Sequence, residues 1–376
     1  MIPLHEPYLS PDAWDMLKAC LDSGWVSSAG PWVSEFEEAL SDLTGSPHVV
    51  AVNSGTAALH LALSVAGVRS SDGVIIPDIT FVATANAVRY LEAQPLLAEV
   101  NPDTYLLDVS SLEIYLETHT EIREAGCWDK RLEIYIRAVV AVHVMGNVAD
   151  MQALKILCHK HHLILIEDAA EALGSSDQGK QAGTWGDLGV LSFNGNKILT
   201  TGGGGVVLTA NEQWARQIGH LATQAKVDPL TYDHDRVGFN YRMTSLSAAL
   251  GLSQLRVWEE IKEKKEQVFQ RYEAALKDLC TFQRVRPEVK TNRWLVTATF
   301  EKPTLQMIQR LHKADIQVRP IWKPMHMLPM YLDCPKLGTL HHSRYLHTNS
   351  MSLPSSAGLK KKDQERVISA ILANQK

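Results

Sequence analysis

The chain has 376 residues, of which 37 are Lys or Arg and 42 are Asp or Glu, giving a net charge of −5 with His neutral. Hydrophobic residues make up 45% and charged residues 21%, the composition of a globular protein with a large core, which excludes disordered, collagen-like and coiled-coil chains. The length suits one large domain plus a smaller one, and the absence of a long block of either charge argues against a partner nucleic acid or an anionic membrane.

The opening segment MIPLHEPYLSP has no basic stretch followed by an apolar one, and the longest apolar run, around residues 138–145, is too short to span a bilayer. Ser10 and Pro11 open a helix that Gly24 closes, and Val33, Phe36, Leu40 and Leu43 form an apolar stripe ending at Gly45. From there strands predicted over 48–52, 73–76, 95–100, 136–143, 163–167, 188–193 and 204–208 alternate with amphipathic helices over 56–66, 80–91 and 150–161. Several of these strands are apolar nearly throughout, as strands covered on both faces are, so the fold class is α/β with a mostly parallel, mixed sheet. A turn-rich loop follows over 224–238. A long helix over 244–279 then leads into a smaller α+β domain with a strand over 294–300 and helices over 303–314 and 362–374. The expected domains are 1–245, large, and 246–376, small. Cys20, Cys127, Cys158, Cys280 and Cys334 lie far apart with no C-x-x-C and no close histidine partner, so neither a disulfide framework nor a metal site is expected. These features together predict a soluble protein of the reducing cytoplasm.

Three places carry chemistry. At Asn53-Ser54-Gly55-Thr56-Ala57 a strand ends in a small-residue turn that opens a helix, where the amides of Gly55, Thr56 and Ala57 and the Thr56 hydroxyl can hold a phosphate. An ordinary capped helix accounts for the same residues. The strand Leu163-Ile164-Leu165-Ile166-Glu167-Asp168 ends in carboxylates, at the sheet edge where open α/β proteins bind ligands. Asp168 there can pair a cationic ring nitrogen, act as a base, or cap the next helix. Lys197 follows a strand and precedes Gly202-Gly203-Gly204-Gly205, a run whose entropic cost suggests close approach of the backbone to something. A lysine in a polar cleft can form a Schiff base. Two other stretches carry nothing: Gly174 to Gln181 nearly fits a phosphate-binding loop, but Gln181 replaces the hydroxyl residue and a hairpin-like loop is expected, while His159, His161 and His162 read as a solvated helix end. A phosphate cup, a strand-end aspartate and an isolated lysine, in that order, are what a pyridoxal phosphate site requires.

At these residues the sequence resembles the DegT/DnrJ/StrS-type nucleotide-sugar aminotransferases, which have the aspartate aminotransferase-like fold, fold type I. The resemblance runs through Pro3 to Pro7, Gly24 to Ser27, Asn53 to Leu59, Pro77 to Asn86, His143 to Gly146, Glu167 to Ala172, Ser192 to Gly205 and Gly238 to Met243. It implies that Lys197 forms the Schiff base with pyridoxal 5′-phosphate and shuttles the proton, that Asp168 pairs the pyridinium, that Phe81 stacks on the ring, and that Gly55, Thr56 and Ser192 hold the phosphate. Glu171 stands where the family usually has a glutamine near the ring hydroxyl. Asn240 matches an asparagine that reaches the phosphate of a neighbouring subunit, with Arg242 nearby, implying a homodimer with shared sites. Arg319 and His326 match a segment near the sugar nucleotide. Gly203, Asn194 and Met145 replace the glutamate, histidine and tyrosine found in many members. The run Phe193-Asn194-Gly195-Asn196-Lys197 before the glycines resembles the subgroup that uses glutamate to aminate C4 of UDP-linked 4-keto-6-deoxy-N-acetylhexosamines for surface glycans. A GDP-linked, perosamine-type sugar, a 3-keto sugar or a free amino acid is the alternative substrate.

Overall fold

The structure, a computed structural model, describes residues 1–228 and 230–374. Helices α1 (Ala13–Asp22) and α2 (Trp32–Thr44) precede the strands β1 (His48–Val52), β2 (Gly73–Pro77), β3 (Gln94–Ala98), β4 (Thr120–Arg123), β5 (Gly126–Asp129), β6 (Ile134–Val142), β7 (Ile164–Asp168), β8 (Ser176–Asp177), β9 (Lys180–Gln181), β10 (Leu188–Ser192) and β11 (Gly205–Thr209). Helices α3 (Gly55–Val65), α4 (Val82–Tyr90), α5 (Val109–His119), α6 (Met151–Lys160) and α7 (Glu212–Ala222) are interleaved with or follow them. The main sheet runs in the order β1-β11-β10-β7-β6-β2-β3. Its pairs are parallel except those of β11, which lies antiparallel to both neighbours. All seven predicted strands form within a residue or two of their expected ends. The hairpin of β4 and β5, which extends the sheet from β6, was not anticipated: its half-exposed residues lack an apolar run. The short pair β8 and β9 is the hairpin expected around Gly174 to Gln181.

The last glycine of the run is explained by the chain's own backbone. A Cβ on Gly205 would stand 2.6 Å from the Gly55 nitrogen and from the Ser54 carbonyl carbon. β11 therefore passes against the turn that opens α3, and no side chain fits between them.

Past β12 (Lys226–Asp228) and β13 (Asp233–His234), the long predicted helix is broken in two, α8 (Ser245–Arg256) and α9 (Trp258–Leu276). Val257, at φ −108° and ψ 18°, is the break. α8 lies on the first core, where Gly251 lets the Phe36 ring within 2.5 Å of where a Cβ would be. α9 instead sends Val268, Phe269, Tyr272 and Leu276 into a second core. The turn between them drops Trp258 onto Gly174, whose φ is +75° and whose Cβ would meet the indole at 2.2 Å. α9 keeps Trp258 and Ile261 in the first core and carries its later turns into the second, a course that a straight continuation of α8 would miss. The second core gathers β14 (Thr281–Phe282), β16 (Val296–Thr299), β18 (Ser350–Leu353) and helices α10 (Leu305–Lys313) and α12 (Lys361–Ala373), with β17 (Arg319–Pro320) completing the sheet β14-β16-β18-β17, while β15 (Val289–Lys290), paired to β8, and α11 (His341–Asn349) bury Val289 and Leu346 in the first core. Ile2 also packs there, beside Ile316. His161 departs from the solvated helix end expected of it: it is buried under β4, with Nδ1 3.4 Å from the Thr120 hydroxyl.

Lys265 of α9 is fully buried and donates from Nζ to the carbonyls of Trp294, at 2.5 Å, and Ser355. Burial pushes its ammonium down to about 7 from 10.5. The folded state then binds fewer protons here than the unfolded state between these values, so folding gains as pH rises from about 7 to 10.5 and loses that gain as pH falls back across the same window, with no further change below about 7. The melting temperature of the wild type relative to Lys265→Met should climb from pH 7 toward pH 10.5. A difference flat with pH would show that the amine keeps its ordinary value. Among the described residues no helix is long and apolar enough to cross a membrane.

Candidate active site

The carboxyl ends of the parallel strands open into a cleft of about 410 Å³. Asp168, the last residue of β7, enters it with its carboxylate already oriented. Oδ2 accepts the Thr84 hydroxyl of α4 at 2.7 Å, and Oδ1 accepts the Ala170 N–H at 3.2 Å. The Thr80 hydroxyl lies 2.7 Å from that of Thr84, whose one hydrogen points to Asp168, so Thr84 is the acceptor in this contact. The neighbouring Glu167 points to the opposite face of the strand and is structural. Its oxygens accept the N–H groups of Gly183, Trp185 and Gly186 at 2.6–2.9 Å and His143 Nε2 at 2.9 Å.

Lys197 sits in the turn after β10, buried, with Nζ 3.1 Å from Glu171 Oε1 and 4.2 Å from the centre of the Trp294 indole. The indole is held in turn by its Nε1–H, which donates to the Asn196 carbonyl at 2.8 Å. The other carboxylate oxygen of Glu171 accepts the Met145 N–H at 2.9 Å, from a residue in left-handed backbone at φ 58°. Burial pushes Glu171 above the ordinary carboxylate range, opposed by Lys197 and the Met145 N–H. A carboxyl so placed can donate a hydrogen bond as well as accept one, which is what a group beside a ring oxygen needs.

Gly55 and Thr56 line the cleft at the start of α3 together with Ser192, and a Cβ on Gly55 would fall 2.8 Å from the Ser192 Cβ. The first N–H groups of a helix have no intrahelical acceptor, so those of Gly55 and Thr56 can bind an anion that enters the cleft. Ala57 departs from expectation. Its N–H donates to the Ser54 Oγ at 3.1 Å, an N-cap that uses this donor up, and Ala57 does not line the cleft. Phe81 stands at the mouth, 52% exposed, its ring centre 6.4 Å from that of Trp322. Asn194, Gly203 and Gly204 complete the wall near Lys197.

Four expected residues are not brought to this chain's cleft. Asn240 and Arg242 line a separate cavity of about 900 Å³, and the Arg242 guanidinium is bound to both Glu37 oxygens, at 2.6 and 3.2 Å, and to the Ala51 carbonyl. His326 is enclosed. Its Nδ1 lies 2.6 Å from Asp78 Oδ2, its Nε2 accepts from Arg344 Nε at 2.9 Å, and no ring nitrogen remains for a ligand. Arg319, on β17, is exposed and does not line the cleft. From the same segment it is Trp322 that reaches the cleft. Sequence reasoning also passed over Thr84 and Trp294. Thr84 lies within the stretch from Pro77 to Asn86 that carried the resemblance, at a helical spacing from Thr80 that invited inspection; a single tryptophan such as Trp294 carries no such cue.

An amine in a buried cleft can add to an aldehyde or ketone, a fixed carboxylate can face a cationic nitrogen, and a helix N-terminus can hold an anion. Residues 7–372 match the DegT/DnrJ/EryC1/StrS aminotransferase family. The chain is 37% identical to EpsN of Bacillus subtilis, named as a pyridoxal phosphate-dependent aminotransferase, over 99% of this chain and 95% of that protein. It is 35% identical to a GDP-perosamine synthase of Caulobacter vibrioides, over 98% and 97% respectively. Among solved structures, a DegT DnrJ EryC1 StrS aminotransferase from Brucella abortus superposes with a TM-score of 0.89 at 26% identity, covering 96% of this chain and 95% of that one.

Proposed function

The chain belongs to the DegT/DnrJ/EryC1/StrS aminotransferase family, and we propose that within it this enzyme moves the amino group of glutamate onto the C4 ketone of a nucleotide-linked 4-keto-6-deoxy sugar. It is a pyridoxal phosphate-dependent sugar aminotransferase of fold type I. The amino donor, the ketone position and the nucleotide are the proposed part.

The cleft fits the cofactor. Its lining joins one buried lysine amine, one oriented carboxylate and a glycine-tight helix N-terminus, and Lys197 is the only lysine lining it among the described residues. That observation carries the reading. Bound pyridoxal phosphate supplies an electrophilic aldehyde and an electron-withdrawing ring. Gly55, Thr56 and Ser192 would hold its phosphate, Phe81 its ring face, Asp168 its ring nitrogen and Glu171 its hydroxyl side. Lys197 Nζ takes the α-proton of glutamate and later delivers a proton at the sugar C4, so one base serves both halves of the exchange. The Trp294 face stabilises Nζ whenever it carries charge. Asn240 lies outside its own chain's cleft, which supports a homodimer in which it serves the partner's site.

Two nucleotides have support. The motif from Phe193 to Gly205 favours a UDP-linked N-acetylhexosamine, and the likeness to GDP-perosamine synthases favours a GDP-linked sugar. Desulfuration of a free amino acid would need a cysteine at the cleft. Among the described residues none lines it, and Cys334 is buried against Arg89. Incubating purified enzyme with glutamate and UDP-, GDP- and dTDP-linked keto sugars, followed by mass spectrometry, should yield the aminated UDP or GDP sugar. Turnover of free amino acids with every sugar left unaminated would reject the proposal.

A further inference from the structure

We propose that Glu99, His341 and His342 form a binding site for a divalent metal ion of the Zn²⁺ class, outside the catalytic cleft and independent of the reaction assigned above. Glu99 directly follows β3, and the two histidines open α11. The chain entering α11 is laid beside β3 by hydrogen bonds from Leu97 N–H to the Pro335 carbonyl, at 2.9 Å, and from Leu337 N–H to the Leu97 carbonyl, at 2.8 Å. Gly338 then passes close over Glu99, since a Cβ there would stand 3.7 Å from the Glu99 Cβ. One ligand atom from each of the three residues lies within 4.8 Å of the other two, and His341 Nδ1 is 3.6 Å from Glu99 Oε2.

Two of these groups are unsatisfied. Glu99 is 6% exposed; its Oε1 takes the Val100 N–H at 3.1 Å and the Ser343 hydroxyl at 3.5 Å, but its Oε2 is buried with no hydrogen-bond partner among the described residues. His342 Nδ1 is likewise buried and unpartnered. Burying a carboxylate oxygen and a ring nitrogen without partners is costly, and both belong to residues of the same cluster. A metal closes such a gap where a proton does not. With bonds of about 2.0–2.2 Å at tetrahedral angles its ligands stand about 3.3–3.6 Å apart, at the edge of hydrogen-bond reach. Two imidazoles and one carboxylate select Zn²⁺, Co²⁺ or Ni²⁺ over Mg²⁺ and Ca²⁺. His341, exposed on the outer side, gives the ion a way in and leaves positions for water; its Nδ1 now contacts the Thr339 hydroxyl at 2.7 Å and would exchange that partner for the metal.

The test is calorimetric titration of untagged, EDTA-treated holoenzyme with ZnCl₂ and separately with MgCl₂. One Zn²⁺ per chain and no Mg²⁺ uptake is the expected result. Glu99→Gln and His342→Gln should each weaken Zn²⁺ binding by more than about tenfold, and the visible ligand-field bands of the Co²⁺-loaded protein should vanish in both. His342→Gln alone decides the matter if Glu99→Gln does not fold. Absence of stoichiometric uptake, or Zn²⁺ binding equal in wild type and variants, would overturn the assignment.

Discussion

Lys197→Ala is expected to leave the purified enzyme colourless and to lower the glutamate half-reaction on the order of 10⁴-fold, the upper range for a positioned acid–base group that is also the covalent anchor. Such a fall corresponds to about 5.5 kcal/mol of barrier. Among the described residues two lysines are buried, Lys197 and Lys265, and the geometry separates their roles. Lys265 Nζ is committed to the carbonyls of Trp294 and Ser355 and lines no cleft, whereas Lys197 Nζ meets a carboxylate and an aromatic face at the ends of the strands. Lys197→Arg should fail as completely, because a guanidinium keeps its proton and does not add to a carbonyl. Borohydride reduction followed by peptide mass mapping checks the assignment directly. Cofactor fixed to a lysine in the Ala variant would mean that another residue is the anchor.

What the sequence made legible follows from where each residue's environment is set. Strands covered on both faces by helices read as unbroken apolar runs, so β2, β6 and β7 could be placed to within two residues. The order of cup, aspartate and lysine was legible because each follows the carboxyl end of a strand, and the sheet gathers those ends at one edge. The break at Val257 was not. Nothing in the local propensity of residues 244–279 marks it, and it exists because α8 lies on the first core, the later turns of α9 lie on the second, and Trp258 seats on Gly174. His326 and Trp322 teach the same lesson within one short segment. The resemblance pointed to the histidine, but Asp78 and Arg344 occupy both of its nitrogens, and the tryptophan four residues earlier faces the cleft. Glycines 202–205 suggested close approach of the backbone to something, and at Gly205 that something is the Ser54–Gly55 backbone, while Gly203 and Gly204 line the cleft.

Asp168→Asn should lower kcat and kcat/KM in parallel by roughly 10²–10³-fold, the scale for losing one preorganised electrostatic partner of the reacting group. The reason lies in what the surroundings have done to this carboxylate. Thr84 and the Ala170 amide each donate to it, and both bonds suit an acceptor-only group. An asparagine can satisfy Thr84 with its oxygen, but its NH₂ then faces the Ala170 N–H, donor against donor, and the negative charge opposite the ring nitrogen is gone. Thr84→Val separates these contributions. It keeps the charge and removes one orienting bond, so a fall of about tenfold is expected, with the larger part of the Asp168 effect reserved for charge. Equal losses in the two variants would place the effect in orientation. A fall in Asp168→Asn confined to KM would show that the carboxylate acts on binding and leaves the chemical step untouched.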